Sequence, residues 1–164
     1  DLHPVPTRRS SDLAVAVVVA TSVGHQAQAQ GKQEKDAVIA VIKQMFDGMR
    51  KGDANMVAGV FYENAVMQTT FTHPKTQKSV LHKGSVDNFV ASIKKKKPTD
   101  VYDECISEYV VKIDDNLANV WTPYKFYLND QFSHCGINNF QLFKSDKGWK
   151  IISVVDTRRR KGCE

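Results

Sequence analysis

Leu117 to Asp130 reads LANVWTPYKFYLND, Gln131 to Gly148 reads QFSHCGINNFQLFKSDKG, and Trp149 to Thr157 reads WKIISVVDT. Valine, isoleucine, phenylalanine, tyrosine and tryptophan crowd these segments, as a half-buried pleated surface favours, and they predict three long antiparallel strands. Asn129-Asp130 and the run Ser145-Asp146-Lys147-Gly148 supply the two connecting turns, with Gly148 free to take positive φ. The residues upstream then pack on this ribbon or extend it.

Working back from the ribbon, Val101 to Asp114 reads as one further strand, long enough to bend, turned by Asp114-Asp115-Asn116. Before it, Ser85 caps a helix whose Val86, Phe89, Val90 and Ile93 share one face. Lys94 to Lys97 close that helix, where cations suit the helix dipole, and Pro98 forbids its continuation. Ala65 to Phe71 and Ser79 to His82 read as two strands flanking the loop Thr72-His73-Pro74. The clearest helix is Glu34 to Lys51: Val38, Val41, Ile42, Met45 and Met49 make one apolar stripe, with Phe46 on it or beside it. Gly52 ends that helix and Asp53 caps a second, short one through Phe61. Helices followed by a run of strands indicate an α+β fold, with the helices on one face of a curved antiparallel sheet.

With 164 residues, 41% hydrophobic and 25% charged, the chain has material for one globular domain and an N-terminal extension. Leu13 to Val23 (LAVAVVVATSV) is apolar but shorter than the roughly 20 residues that span a bilayer, so no stable membrane span is expected. Followed by Ala27-Gln28-Ala29, it has the layout of a secretory signal, which places the protein outside the cytoplasm, secreted or periplasmic. Pro6 to Leu13 (PTRRSSDL) resembles a sequencing-library adapter translated in one frame. The expected boundaries are therefore 1–13 non-native, 14–29 signal-like, and 30–164 the domain.

Lys and Arg number 23 against 18 Asp and Glu, a net +5. Lys94–Lys97 and Arg158–Lys161 carry much of that excess, and both read as solvated ends of elements. Without interleaved aromatics or a recognised motif they do not predict nucleic-acid binding. Of the three cysteines, Cys105 and Cys135 fall on expected strands and read as small buried hydrophobes, with a disulfide left open by export. Cys163 sits in the tail, a free thiol or an intermolecular partner.

Three stretches, MRKGDANMVAGVFYENAV, VWTPYKFYL and HCGINNFQLFKSDKGWKIISVVDTRR, resemble the nuclear transport factor 2-like superfamily, over roughly Glu34 to Arg158. The last is similar to its lumazine-binding-like or polyketide-cyclase-like bacterial branch. That resemblance implies a cone-shaped antiparallel sheet with three helices on its concave face, a pocket inside the cone, and homodimers formed through the outer sheet face. Superfamily members range over isomerases, dehydratases, cyclases, binding proteins and adaptors, so the fold does not settle function.

Strand alternation puts Phe132, His134, Gly136, Asn138, Phe140 and Leu142 on one side of their strand, and the resemblance implies that this side faces inward. Polar groups among aromatic and aliphatic ones suit a small-molecule site, so Tyr124, His134, Asn138 and Phe140 are the expected ligand-binding residues. His134 and Asp156 are the catalytic candidates, since a His–Asp pair can orient an imidazole for acid–base work. Trp121 and Trp149 read equally as core. The superfamily's isomerases resemble this chain but carry a carboxylate base on the first strand, where Gln68, Thr69 and Thr70 stand here. No metal site follows from the spacing of His73, His82 and His134, and no cofactor is expected. The reading is an exported binder of a small, partly apolar molecule. Its rivals are an acid–base lyase or isomerase using His134 with Asp156 or Tyr124, and a homodimeric interaction module without a ligand.

Overall fold

The computed structural model describes residues 12–163, with side chains from residue 29 onward. Two compact units divide after Asp36. In the first, the described backbone is helical, and Lys32 pairs with Asp36 at 2.6 Å across one exposed turn. The adapter-like reading lies outside the described residues except at Asp12 and Leu13, and the signal-like stretch falls on helical backbone. The helix expected from Glu34 starts instead at Asp12, as α1 (Asp12–Lys51). Residues 26–33 are alanine, glutamine and lysine apart from Gly31, good helix formers with nothing to stop the helix. Among the described residues no helix is long and apolar enough to cross a membrane.

The second unit begins at Ala37. There α1 buries Val38, Ile42, Met45, Phe46 and Met49, the stripe expected from its periodicity, with Val41 at its margin. Gly52 at φ 73 closes the helix, and Asp53 caps α2 (Ala54–Ala58) by accepting from the Met56 amide at 2.9 Å. The second helix stops short of Phe61, which opens β1 (Phe61–Thr72). β2 (Ser79–Ser85) pairs antiparallel with β1, and Ser85 caps α3 (Val86–Lys94), accepting from Asn88 at 3.1 Å.

The expected single strand Val101–Asp114 is two strands, β3 (Tyr102–Ile106) and β4 (Val110–Asp114). Both pair with β5 (Leu117–Leu128), but Ile106 faces Tyr124 whereas Val110 faces Trp121. Four residues thus advance against three, and the extra residue breaks the ladder where the sequence reading allowed only a bend. β6 (Gln131–Ser145) and β7 (Gly148–Arg158) complete the ribbon as expected. Asn129 and Asp130 at φ 52 and 62 make the tight turn between β5 and β6, and Gly148 at φ 91 serves the next one.

The sheet runs β2-β1-β7-β6-β5-β3, curved and unclosed, with β4 also on β5. One pair departs from the all-antiparallel expectation: β7 lies parallel to β1. On the concave face Ala118 and Val120 of β5, Phe140 and Leu142 of β6 and Ile151 of β7 are fully buried against the helices. Phe46 of α1 meets Phe140 edge-on at 6.1 Å, tying helix to sheet. Trp149 joins this core, but Trp121 is 47% exposed on the opposite face, in the other phase of the β5 alternation. Phe132 is also exposed, because β6 slips register beside Phe126 and Tyr127 and its first residues leave the inward phase.

The cysteines pair otherwise than expected. Cys135, buried as predicted, is bonded to Cys163, and Cys105 is an exposed free thiol. The tail is brought back by Arg159, whose amide and carbonyl both bond to Cys135 at 2.9 Å.

Just beside this bond a Cβ built on Gly136 would stand 1.7 Å from the Thr157 carbonyl oxygen and 2.8 Å from the Tyr124 ring. Gly136→Ala is therefore expected to cost on the order of 3 kcal/mol, seen as a lowered urea midpoint, and a midpoint unchanged from the parent would contradict the contact. The disulfide closes a 28-residue separation, for which chain entropy suggests about 3 kcal/mol. Cys163→Ser is expected to lose most of that, and alkylation of the unreduced, denatured parent to label Cys105 alone. Labelling of all three cysteines would refute the bridge.

Candidate functional site

Between α1, α3 and the concave sheet lies a cavity of about 330 Å³. That is near the lower end of the roughly 300–1,000 Å³ usual for ligand sites, enough for a fused two-ring molecule. Its walls are apolar: Met45 and Met49 from α1, Phe89 and Ile93 from α3, Met67 from β1 and Phe126 from β5. Helical periodicity brings Met45 and Met49 round to the same face one turn apart, and likewise Phe89 and Ile93.

The polar side is built by strand ends. Tyr124, buried on β5, donates to the Thr157 carbonyl at 3.0 Å, with Asp156 Oδ2 at 3.4 Å. Thr69 on β1 donates to the other Asp156 oxygen at 2.6 Å, an encounter made possible by the parallel pairing of Thr69 with Asp156. Asn138, almost wholly buried on β6, donates to Glu104 Oε1 at 2.6 Å. His134 faces the same cavity, tilted over the Phe126 ring at 5.0 Å, with the Tyr124 ring edge-on at 5.7 Å. Its Nδ1 lies 3.0 Å from Ser133 Oγ.

Tyr124, His134, Asn138 and Asp156 all line this one space. Phe140 does not line it; it is fully buried under α1 as part of the core, one step deeper along β6 than Asn138. The expected His134–Asp156 hydrogen bond is not formed: the Asp156 carboxylate is held by Thr69 and approached by Tyr124 and by Arg158 at 3.8 Å. Nor is Asp156 an exposed partner for that arginine, since its side chain is only 14% exposed.

Glu104 was not among the expected site residues, and it is the most perturbed carboxyl here. Burial pushes it from its ordinary 4.5 up to about 7; Asn138 and Arg158 pull it down, and the nearby Asp156 pushes it further up. Its signal in the sequence was alternation, for Tyr102, Glu104 and Ile106 share one phase of a strand whose phase is otherwise apolar. Asp103, in the opposite phase, pairs instead with Arg50 of α1, which holds its carboxyl below the usual range and fixes β3 against the helix. Burial likewise raises Asp156, against the opposing pull of Thr69, Arg158 and Tyr124, and raises the Tyr124 hydroxyl. His134 moves the other way, to about 4, through burial and then the nearby Arg158 and Arg160, so its ring is neutral at physiological pH. Among the described residues no cluster of His, Cys, Asp and Glu could hold a metal ion.

Glu104 keeps its proton in the folded chain where the unfolded chain has lost it. It adds stability that is full below about pH 4.5 and lost as pH rises through about 7. His134 acts oppositely: its contribution is present above about pH 6.5 and lost as pH falls toward about 4. Over the shared window the two offset. Glu104→Gln is expected to steepen the rise of stability from pH 4 to 6.5 relative to the parent, and His134→Gln to tilt the profile downward between pH 4.5 and 7. Denaturant midpoints at stepped pH read both, and variant profiles parallel to each other would refute these assignments.

Comparison with known proteins follows the fold. The sequence profile of the family described as "Putative lumazine-binding" matches residues 33–155. None of the curated proteins is similar enough in sequence to match. Among solved structures, an NTF2-like protein of unknown function from Shewanella baltica OS155 is 16% identical, with a TM-score of 0.57 over 79% of this chain and 96% of that one. A protein of unknown function from Mycobacterium tuberculosis is 13% identical, with a TM-score of 0.64 over 82% and 76%. A cystatin-like-fold domain of unknown function from Nostoc punctiforme is 19% identical, with a TM-score of 0.58 over 79% and 80%. At these identities the likeness is one of fold.

Proposed function

Since this chain belongs to the "Putative lumazine-binding" family of NTF2-like proteins, we propose that it is an exported protein that binds a small, partly apolar molecule in the cavity under α1 and α3. The observation that carries this reading is the cavity's make-up: a space of about 330 Å³ with apolar walls and six polar side chains, Thr69, Glu104, Tyr124, His134, Asn138 and Asp156, gathered on one side. Unfilled apolar volume costs stability, so a space of this size kept open beside buried carboxyl groups argues for an occupant. Export is supported by the Cys135–Cys163 bond, which persists in oxidising compartments, and by the apolar run Leu13 to Val23 before Ala27-Gln28-Ala29. Pairing of two copies through the outer sheet face is supported by Trp121 and its register partner Val110, both exposed there with Leu117 on the same strand face.

One observation favours a second reading, an acid–base lyase or isomerase. A carboxyl group poised near 7 in a cavity is suited to taking and returning a proton. In that case Glu104 replaces the His134–Asp156 pair as the proton-handling group, and His134 is a neutral wall.

Native mass spectrometry of protein purified from its own host is expected to show a retained small molecule and a dimer mass. Met67→Trp, which fills the cavity, is expected to release the molecule and leave the dimer. Recovery of the molecule chemically unchanged after long incubation favours binding over catalysis. Protein free of any small molecule, together with a fragment screen that leaves the Asn138 and His134 resonances unmoved, overturns the binding reading.

A further inference from the structure

Four hydrogen-bond donors of the cavity wall are already engaged. Thr69, Ser92, Tyr124 and Asn138 each give a hydrogen to a protein acceptor: Asp156, the Phe89 carbonyl, the Thr157 carbonyl and Glu104. The acceptors are not filled in return. Glu104, half-buried and lining the cavity, receives at Oε1 from Asn138, and its Oε2 accepts from no described residue. Asp156, with two oxygens and about four lone-pair positions, receives from Thr69 and weakly from Tyr124. Two acceptor-rich carboxyl groups thus face one space, so a ligand that brings N–H groups and a positive charge can be received by both once Glu104 has given up its proton.

Resting on the ligand-binding reading above, we propose that the cavity selects small aromatic or alicyclic molecules carrying a protonated nitrogen, whose N–H groups are received by Glu104 and Asp156. The walls suit such a cation. Phe89, Phe126 and Tyr102 present rings, and Met45, Met49 and Met67 present polarisable chains, around the same space. The two carboxyl groups side by side also acquire a reason. In the empty cavity Glu104 holds a proton and so buries no second negative charge beside Asp156. An entering cation supplies the countercharge, Glu104 releases its proton to water, and an ion pair forms where water is excluded.

The groups facing Glu104 leave the balance this way. β6 brings Asn138 and, lining the same space, the neutral His134; β5 brings Tyr124, and β7 Asp156 with Arg158. Met49, Phe89 and Ser92, the residues from α1 and α3 on that side, carry no charge. Among the described residues, Arg158 is the fixed cation lining the cavity; it is half-exposed and turned to Asp156 at 3.8 Å. It defines the rival outcome, a ligand carboxylate captured at the rim.

The test is calorimetric titration of the full chain with three probes sharing one body: tryptamine, tryptophol and indole-3-acetate. Tryptamine is expected to bind at least about tenfold more tightly than tryptophol at pH 8. Its affinity should fall by up to about tenfold for each pH unit below 7, while that of tryptophol stays level. Buffers of different ionisation enthalpy should reveal a proton released on tryptamine binding at pH 7. Glu104→Gln is expected to abolish the pH dependence and most of the preference for tryptamine while still binding tryptophol, which also reports that the variant is folded. The pH dependence of the parent stands as evidence even where that variant fails to fold. Equal binding of tryptamine and tryptophol, or tightest binding of indole-3-acetate, overturns the cation preference and leaves the cavity reading intact. Absence of binding by all three, with cavity resonances unmoved, overturns both.

Discussion

Where β6 passes β7 at Gly136, the Thr157 carbonyl occupies the position that any side chain's first carbon would need. The site depends on this close approach. It lets the Tyr124 hydroxyl reach that same carbonyl across β6, and it brings Asp156 beneath Tyr124 and beside Thr69. A wider crossing would separate three strands that each supply one polar group. Deeper along β6 the same inward phase carries Phe140 and Leu142, which anchor the core under α1. One strand face thus does two jobs in sequence, polar beside the cavity and apolar beneath the helix, and Asn138 marks the boundary.

The electrostatics of the cavity follow from that boundary. Groups on its polar side are withdrawn from water without a full set of partners, so each shifts toward its neutral form. For a carboxyl this means a raised pKa and for an imidazole a lowered one. His134 and Glu104 consequently make opposite contributions to the pH dependence of folding, and a nearly flat profile for the parent would conceal two sizeable slopes. Burial raises Asp156 as well, and Thr69, Arg158 and Tyr124 oppose that rise by supporting its charge. The two carboxyl groups of the cavity thus differ in the partners that support them, a division set by hydrogen bonds and not by residue type.

Much of this was legible in the order of residues. Period-two alternation sorted β5 and β6 into two sides, the family resemblance said which side of β6 faces inward, and period 3.6 identified the buried stripe of α1. The turn residues Asn129-Asp130 and Gly148 located the ribbon's ends. What alternation cannot give is depth along a strand, so Phe140 read as cavity wall although it is core. It also cannot give pairing between distant strands. The parallel β1–β7 contact, which hands Asp156 to Thr69 and away from His134, depends on a crossover invisible to local pattern. Glu104 was missed for a related reason. Reading Val101–Asp114 as one continuous strand hid the register slip before Val110, and an acid between an aspartate and a cysteine looks like surface until its phase is tied to β5. The cysteine pairing failed in the same way, since Cys163 lies beyond the last strand and only the return of Arg159 to Cys135 brings it home.

That return has a consequence for the site as well as for stability. Cys135 and His134 are neighbours on β6 pointing to opposite faces, so the bridge lies directly behind the imidazole. By fastening the chain beyond β7 it keeps Arg158 and Arg160 near His134, and those two guanidinium groups help hold the ring neutral. It also keeps Arg158 within reach of Asp156, where it supports the carboxylate and lowers Glu104. Without the bridge the tail beyond β7 is left with the Arg159–Cys135 backbone pair, and Arg160 gains freedom to retreat into solvent, whereas Arg158 stays paired with Phe71 of β1. The charge state of the cavity is in this way tied to a covalent bond on the other face of the sheet.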